Sequence, residues 1–203
     1  MILKKESFQE LPSKRQKKYN MARKKKRKVS SFSLKVLKTG FLFLIVLICV
    51  YLLVNYVFRR TVVHNVSMQD TLYDGDNIIM DELSYNISDP KRFDVICFKS
   101  YKEKELLIKR VIGLPGETIQ IKDGVIFIND KEIKDRSGLS EIEEAGLAKE
   151  PVTLSNDEYF VIGDNRKESI DSRSNEVGNV RRKDILGKAS FIFWPFNRAG
   201  IIK

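Results

Sequence analysis

The sequence predicts a mainly β, antiparallel-sheet domain preceded by one N-terminal transmembrane helix. Two patterns carry this prediction. After Arg60, short apolar alternations are separated by Gly, Asp, Asn and Pro, and a helical period is almost never sustained. Before Arg60, the chain is apolar from Gly40 to Phe58, and Asn55 is the only strongly polar residue in that stretch.

The N-terminal part divides into a basic tail, residues 1–38, and a predicted membrane span, residues 39–58. The tail has 14 Lys and Arg against 2 acidic residues, a net charge of +12, so the total of +10 leaves −2 for the other residues. As a helix, the apolar stretch extends roughly 28 Å, close to the ~30 Å hydrocarbon core of a bilayer. Because most positive charge precedes the span, we expect the tail in the cytoplasm and residues 59–203 outside. The alternatives are a buried core helix and nucleic-acid binding by the basic run Met21–Lys28.

In eight segments of residues 59–203, apolar and polar residues alternate as they do in β-strands. They are Thr61–Val66, Asn77–Met80, Asp94–Lys99, Leu106–Ile112, Thr118–Ile121, Val125–Ile128, Tyr159–Ile162 and Lys188–Trp194. Lys122–Gly124 predicts a hairpin turn and Asn129–Asp130 a second turn. The polar stretch Lys131–Asn156 is either one long solvated loop or part of a small β/loop subdomain inserted at residues 123–157.

Neither the cysteines nor the histidine offers an obvious function. Cys49 lies in the predicted span and Cys97 in a predicted outer strand, so they are not expected to form a disulfide. The only histidine, His64, is three residues before Ser67 in an extended stretch, where residues three apart point to opposite faces. A serine nucleophile in this chain therefore needs another base.

Lys109 is the candidate for that base, forty-two residues after Ser67. In the strand Leu106–Ile112, alternation places Lys109 on the same face as Leu107 and Val111. A free lysine is neutral in only roughly one molecule in 2,500 at pH 7, but burial among apolar side chains lowers its pKa by disfavouring the ammonium. Taken alone, Lys109 is more simply explained as a surface lysine on an edge strand, and Ser67 as an ordinary serine at a strand end.

A third informative stretch runs from Gly163 to Arg173. The turn residues Gly163-Asp164-Asn165 lead to a second hydroxyl, Ser169, and then to an Asp/Arg pair two positions apart. By itself, this stretch would be a turn with a surface ion pair.

Together, these stretches resemble, in order, the motifs of type I signal peptidases, the membrane-anchored Ser/Lys proteases of bacteria, and in length the Gram-positive type. The motifs are Ser67-Met68-Gln69-Asp70-Thr71-Leu72 with Gly75-Asp76, then Lys109-Arg110-Val111-Ile112-Gly113-Leu114-Pro115-Gly116-Glu117, then Gly163-Asp164-Asn165 to Ser169 and Asp171-Ser172-Arg173. The resemblance covers Gly40 to the C-terminus. The chain departs from the family pattern at Asp70, where proline is usual, and at Asn65, where Gly or Ser is familiar.

The resemblance implies a role for each motif. Ser67 would be the nucleophile, Lys109 its general base, and Ser169 a hydroxyl that orients the lysine amine. The backbone N–H of Ser67 would donate to the oxyanion, and the side-chain amide of Asn65 would be a second donor unless Asn65 only shapes the strand. Because both catalytic residues are retained, Asp70 is expected to tune turn rigidity or substrate choice.

Other residues would support the site. The structural ion pairs would be Asp171 with Arg173 and Arg110 with Asp164. Shallow apolar pockets for small substrate side chains would be formed by Val63, Met68, Leu72 and Ile108.

The function implied is that of a membrane-bound serine endopeptidase that removes signal peptides from exported preproteins, with no metal or other cofactor. Expected partners are secreted preproteins with small residues at −1 and −3, and membrane lipid at an apolar rim near Trp194–Phe196, but not nucleic acid. A self-cleaving protease of the repressor type is disfavoured by the membrane span. A different alternative is a non-catalytic or pilus-dedicated signal-peptidase-like assembly chaperone.

Overall fold

The computed structural model describes residues 13–56, 58–100, 105–134 and 141–203. The chain forms two compact units, the second of which begins at Leu53. The start of the basic tail and residues 135–140 of the predicted insertion lie outside the described residues.

One long helix, α1, spans Ser13–Tyr56. Its segment Ser33–Leu52 is long and apolar enough to cross a membrane, and none of that segment is buried within the protein. The predicted N-terminal apolar helix is therefore confirmed, but it begins earlier than expected, because the tail is rich in helix-forming Lys and Arg and has no Pro or Gly from Ser13 to Lys38. The helix also ends before Phe58, which lies in a β-strand paired with Asp81.

In the rest of the described chain, the elements are twelve strands and a few short helices. The strands are β1 Phe58–Val62, β2 Asn77–Asp81, β3 Val95–Lys99, β4 Leu106–Gly113, β5 Thr118–Lys122, β6 Val125–Ile128, β7 Lys131–Glu132, β8 Val152–Thr153, β9 Glu158–Ile162, β10 Val180–Arg181, β11 Ile185–Trp194 and β12 Gly200–Ile201; α2 is Ser84–Ile87, and 3-10 helices span Gly146–Lys149, Arg182–Asp184 and Phe196–Arg198.

The main sheet is antiparallel throughout and has the strand order β1-β2-β11-β3-β4-β9-β10, with β12 paired to β11. The predicted mainly β, antiparallel fold is confirmed. β9 pairs with β4 only from Arg110 onward, so Leu106–Lys109 has β3 as its only partner strand among the described residues. β1 is an edge strand of this sheet, with β2 as its only partner strand among the described residues. Both segments therefore expose a main-chain edge that can accept an added strand.

A second, four-stranded sheet has the order β7-β6-β5-β8. Both predicted turns are confirmed: Asp123 and Gly124 join β5 to β6 with φ of 48° and 78°, and Asn129 and Asp130 join β6 to β7 with φ of 49° and 61°. Two consecutive residues with positive φ form the tight hairpin turn that Asn, Asp and Gly favour. This sheet begins at Thr118, ahead of the insertion predicted at residues 123–157.

The predicted strand Thr61–Val66 is wrong in its bounds, because β1 ends at Val62. Asn65 has a φ of 75°, outside the extended region, and a turn follows in which the N–H of Leu72 donates to the carbonyl of Met68 at 2.7 Å. Ser67 thus lies in a turn after the strand, where its side chain can approach a distant segment.

The core beneath this turn is one apolar cluster that joins residues distant in the sequence. It includes Val63, Met68, Leu72 and Ile108, packed with residues of β2, β3 and β11. Since the turn and β4 share this cluster, their relative position is fixed by tight packing.

Candidate active site

Ser67 is held in place by a second turn, which begins where β9 ends. The backbone N–H of Asn165 donates to the Ser67 carbonyl at 3.1 Å, and the Asn165 side-chain amide donates to the Val66 carbonyl at 3.1 Å. Ser67 is only 8% exposed. Two main-chain anchors on consecutive residues fix the direction of the serine side chain.

Lys109 lies on β4 and contacts Ser67 directly. Its Nζ donates to Ser67 Oγ at 2.6 Å, and the lysine is only 2% exposed. The structure therefore brings together the two residues that the sequence analysis selected, at the distance that direct proton transfer needs.

Burial lowers the pKa of Lys109 from its ordinary value of 10.5 to about 8. The cause is the loss of water around the ammonium, to which Arg173 adds repulsion, while the carboxylates of Asp171 and Asp164 oppose the shift. At pH 7 the neutral amine is then present in roughly one molecule in ten, compared with about one in 2,500 for a free lysine, and a neutral amine can accept a proton.

Arg110, next to Lys109 in sequence, forms a bidentate ion pair with Asp164. Its Nε donates to Oδ1 at 2.8 Å and its Nη2 to Oδ2 at 2.6 Å, and both side chains are completely buried. Thr71 donates to Asp164 Oδ2 at 2.5 Å, and Arg110 also donates to the Phe93 carbonyl at 2.7 Å. These bonds join the serine turn, β4 and the turn after β9.

Asp171 and Arg173 form a second buried pair, with Nε to Oδ1 and Nη2 to Oδ2 both at 2.9 Å. Asp171 Oδ2 also accepts from the backbone N–H of Gly163 at 3.0 Å. The pair therefore fixes the glycine that faces the turn carrying Ser67.

Gly163 allows the close approach of Ser67. A Cβ added there would lie 2.4 Å from the Ser67 carbonyl oxygen and 2.1 Å from Ser169 Oγ, both far inside contact distance. The Gly163-Asp164-Asn165 motif signalled this turn in the sequence, but the steric role of the glycine and the anchoring role of Asn165 depend on contacts between segments about a hundred residues apart, which no local pattern reveals.

The Ser169 hydroxyl does not bond the lysine in the structure. Its Oγ is buried and has no hydrogen-bond partner among the described residues. Lys109 Nζ is instead directed to Ser67. The expected orienting role of Ser169 stays a prediction.

Asn65 presents its side-chain oxygen to Ser67. Asn65 Oδ1 accepts from Ser67 Oγ at 3.0 Å and from the Ser67 backbone N–H at 3.4 Å, and its own N–H donates to Asp74 Oδ1 at 3.0 Å. Asparagine is one of the few residues other than glycine that tolerates the positive φ found here. The expected donor, the amide nitrogen, is therefore not the atom that contacts Ser67 in this structure.

A large cavity of about 860 Å³ opens beside Ser67 and Lys109. Of the four residues predicted to form substrate pockets, Val63, Met68 and Ile108 line this cavity. Leu72 does not, because it is completely buried in the core cluster beneath the turn. His64 also lines the cavity and is exposed, but the bonds of Ser67 Oγ go to Lys109 and Asn65.

Comparisons with known proteins agree on one family. The family model described as signal peptidase, peptidase S26, matches residues 36–194. A signal peptidase I of Bacillus amyloliquefaciens is 35% identical over 165 residues, which cover 76% of this chain and 85% of that protein. A signal peptidase I of Bacillus caldolyticus is 37% identical over 158 residues, covering 70% and 83%. A crystal structure of a signal peptidase I from Enterococcus faecalis is 32% identical and covers 50% of this chain and 97% of that one, with a TM-score of 0.42.

Proposed function

The chain belongs to the signal peptidase family, peptidase S26, and is a peptidase that removes signal peptides; we propose that it does so with Ser67 as nucleophile and Lys109 as general base. The observation that carries this proposal is the 2.6 Å contact between Lys109 Nζ and Ser67 Oγ, made by a lysine that is only 2% exposed.

The reaction is amide hydrolysis through an acyl-enzyme. Neutral Lys109 accepts the proton of Ser67, whose Oγ attacks the carbonyl carbon of the scissile bond. The resulting ammonium then protonates the leaving amine as the bond breaks, which returns Lys109 to its neutral form. Water attacks the acyl-enzyme with Lys109 again as base, and the proton passes from Lys109 to Ser67 Oγ as the bond between Oγ and the signal peptide breaks.

The oxyanion needs donors beside Ser67. The Ser67 N–H is one, since its bond to Asn65 Oδ1 is long, at 3.4 Å, and a negatively charged oxygen accepts more strongly. A turn of the Asn65 amide would present its nitrogen as the second donor. The alternative role of Asn65 is to shape the backbone between β1 and Ser67 through its positive φ.

The substrate is an extended segment of a secreted preprotein, bound in the large cavity. The open edges of β1 and of Leu106–Lys109 both border this cavity and offer main-chain hydrogen bonds to an added strand. Small side chains at −1 and −3 would pack against Val63, Met68 and Ile108.

The enzyme is anchored in the cytoplasmic membrane by the apolar segment Ser33–Leu52 of α1. Positive charge concentrated before this segment favours a cytoplasmic N-terminus and an outer catalytic domain, residues 59–203. This orientation places the site on the face where exported preproteins emerge. A non-catalytic assembly chaperone is disfavoured, since such a protein has no use for a buried lysine in contact with a serine.

The function is tested with the full chain in lipid vesicles and a preprotein that has alanine at −1 and −3. We expect cleavage after the −1 residue, its loss in Ser67→Ala, and no effect of EDTA, because the mechanism uses only side chains. Cleavage by Ser67→Ala at the wild-type rate, or inactivation by EDTA, would contradict the proposal. Mass spectrometry of the released chain identifies the bond that is cut.

An apolar rim supports contact of the outer domain with lipid. Trp194 is 49% exposed and Phe196 is 76% exposed, and Trp and Phe favour the interface of a bilayer. We expect a chain without residues 1–56 to be soluble and less active in water, and vesicles to restore part of the rate. The Trp194→Ser/Phe196→Ser variant of this truncated chain should lose the restoration. Equal rates with and without vesicles would disprove the role of the rim.

A further inference from the structure

A second, smaller cavity of about 200 Å³ adjoins the catalytic residues. It shares Asn65, Ser67, Glu105, Leu107 and Lys109 with the large cavity, so Ser67 and Lys109 stand at the boundary between the two. The inference drawn from it rests on the proposed function.

The position of this boundary determines what the small cavity can bind. The scissile carbonyl must lie at Ser67 Oγ, and the proposed pockets for the −1 and −3 side chains are in the large cavity. The chain that follows the cleaved bond has to leave past Ser67 and Lys109. The side chain nearest the small cavity is then that of the first residue after the bond.

The lining of the small cavity combines apolar and acidic groups. Leu107, Ile170 and Val177 are apolar, while Glu105 and Glu168 are exposed carboxylates. The described lining contains one cationic residue, Lys109, which has to be neutral to act as the base. A side chain with an aliphatic stem and a cationic end matches this combination, because lysine and arginine bury their methylene groups and keep their charge at a polar rim.

We propose that this cavity binds the side chain of the first residue after the cleaved bond and that Glu105 and Glu168 select lysine or arginine there. The two carboxylates attract a cation and repel an anion at the same position. Because both are exposed, each acts through water and has a modest effect, and together they should favour lysine over glutamate by about 10-fold in kcat/KM.

The test uses the full chain in detergent micelles and three peptides that differ only in the residue after the cleaved bond: lysine, glutamine or glutamate. We expect kcat/KM to fall in that order, with a lysine-to-glutamate ratio of about 10 that declines toward 1 in high salt. The Glu105→Gln/Glu168→Gln variant should bring the ratio close to 1. Glu176→Gln, which removes an exposed carboxylate outside the cavity lining, should leave the ratio at its wild-type value.

The outcomes separate this inference from the function on which it rests. Equal cleavage of the three peptides, or a ratio that the double variant does not change, would overturn the assignment of the cavity and leave the peptidase function intact. Failure to cleave any of the peptides would contradict both.

Discussion

Lys109→Met should abolish preprotein cleavage, with a loss of at least about 10³-fold in kcat/KM. Methionine has nearly the length of lysine and fills the same buried space, but it has no basic atom to take the Ser67 proton. Lys109→Arg should not restore the rate, because a guanidinium stays protonated. The rate is measured with the preprotein in lipid vesicles, and Lys183→Met, which replaces an exposed lysine, is the matched control. A Lys109→Met enzyme with a rate near that of the wild type would exclude the lysine as the base.

The same variant should be more stable than the wild type at pH 7. The pKa of Lys109 is lowered from 10.5 to about 8, so between these values the unfolded chain binds more protons than the folded one, and the free energy of unfolding rises with pH through that window. Below pH 8 the cost of burying this lysine is fully present. Methionine removes the cost, which is roughly 1 to 3 kcal/mol after the lost hydrogen bond is allowed for. Urea unfolding of the two proteins measures the difference and shows that loss of activity is not loss of folding.

Asp164→Ala should give the largest loss of stability among single changes near the site, about 3 to 5 kcal/mol. The change leaves the Arg110 guanidinium completely buried without its bidentate carboxylate and also removes the carboxylate oxygen that accepts from the Thr71 hydroxyl. Asp89→Ala is the control, since it breaks the pair with Arg182 in which the carboxylate is 80% exposed, and should cost much less.

The double variant Arg110→Met/Asp164→Leu tells whether the loss of stability comes from the unpaired buried charge or from the loss of the ion pair itself. If the cost arises from an unpaired buried charge, apolar side chains at both positions should recover most of the stability. A single variant Asp164→Ala that unfolds at the same urea concentration as the wild type would contradict the structural role of this pair.

The strands could be predicted from the sequence because each is a local pattern. Seven of the eight predicted strands, Asn77–Met80 among them, lie where the alternation placed them. The short strands such as β8 and β12 have two residues each, too few for an alternation to be recognised. The exception, Thr61–Val66, ends early because a turn that is fixed by contacts with Asn165 competes with the extended conformation.

The site could be predicted only in part, because a local pattern does not show contacts between segments that are distant in the sequence. Ser67 and Lys109 could be selected because the chain has no other base that fits and because their motifs resemble those of a family. The surroundings could not be predicted: the burial of Leu72 and the position of the Ser169 hydroxyl follow from packing between distant segments, and the direction of the Asn65 oxygen follows from a turn that strand alternation does not show.

The most direct test of the central claim is the pH dependence of kcat/KM for preprotein cleavage by the full chain in lipid vesicles. A buried lysine that must be neutral to act as base predicts a rate that rises with pH, with a midpoint near the pKa of about 8, and the same profile in His64→Ala. A midpoint near 6.5, the ordinary pKa of histidine, that disappears in His64→Ala would contradict the account.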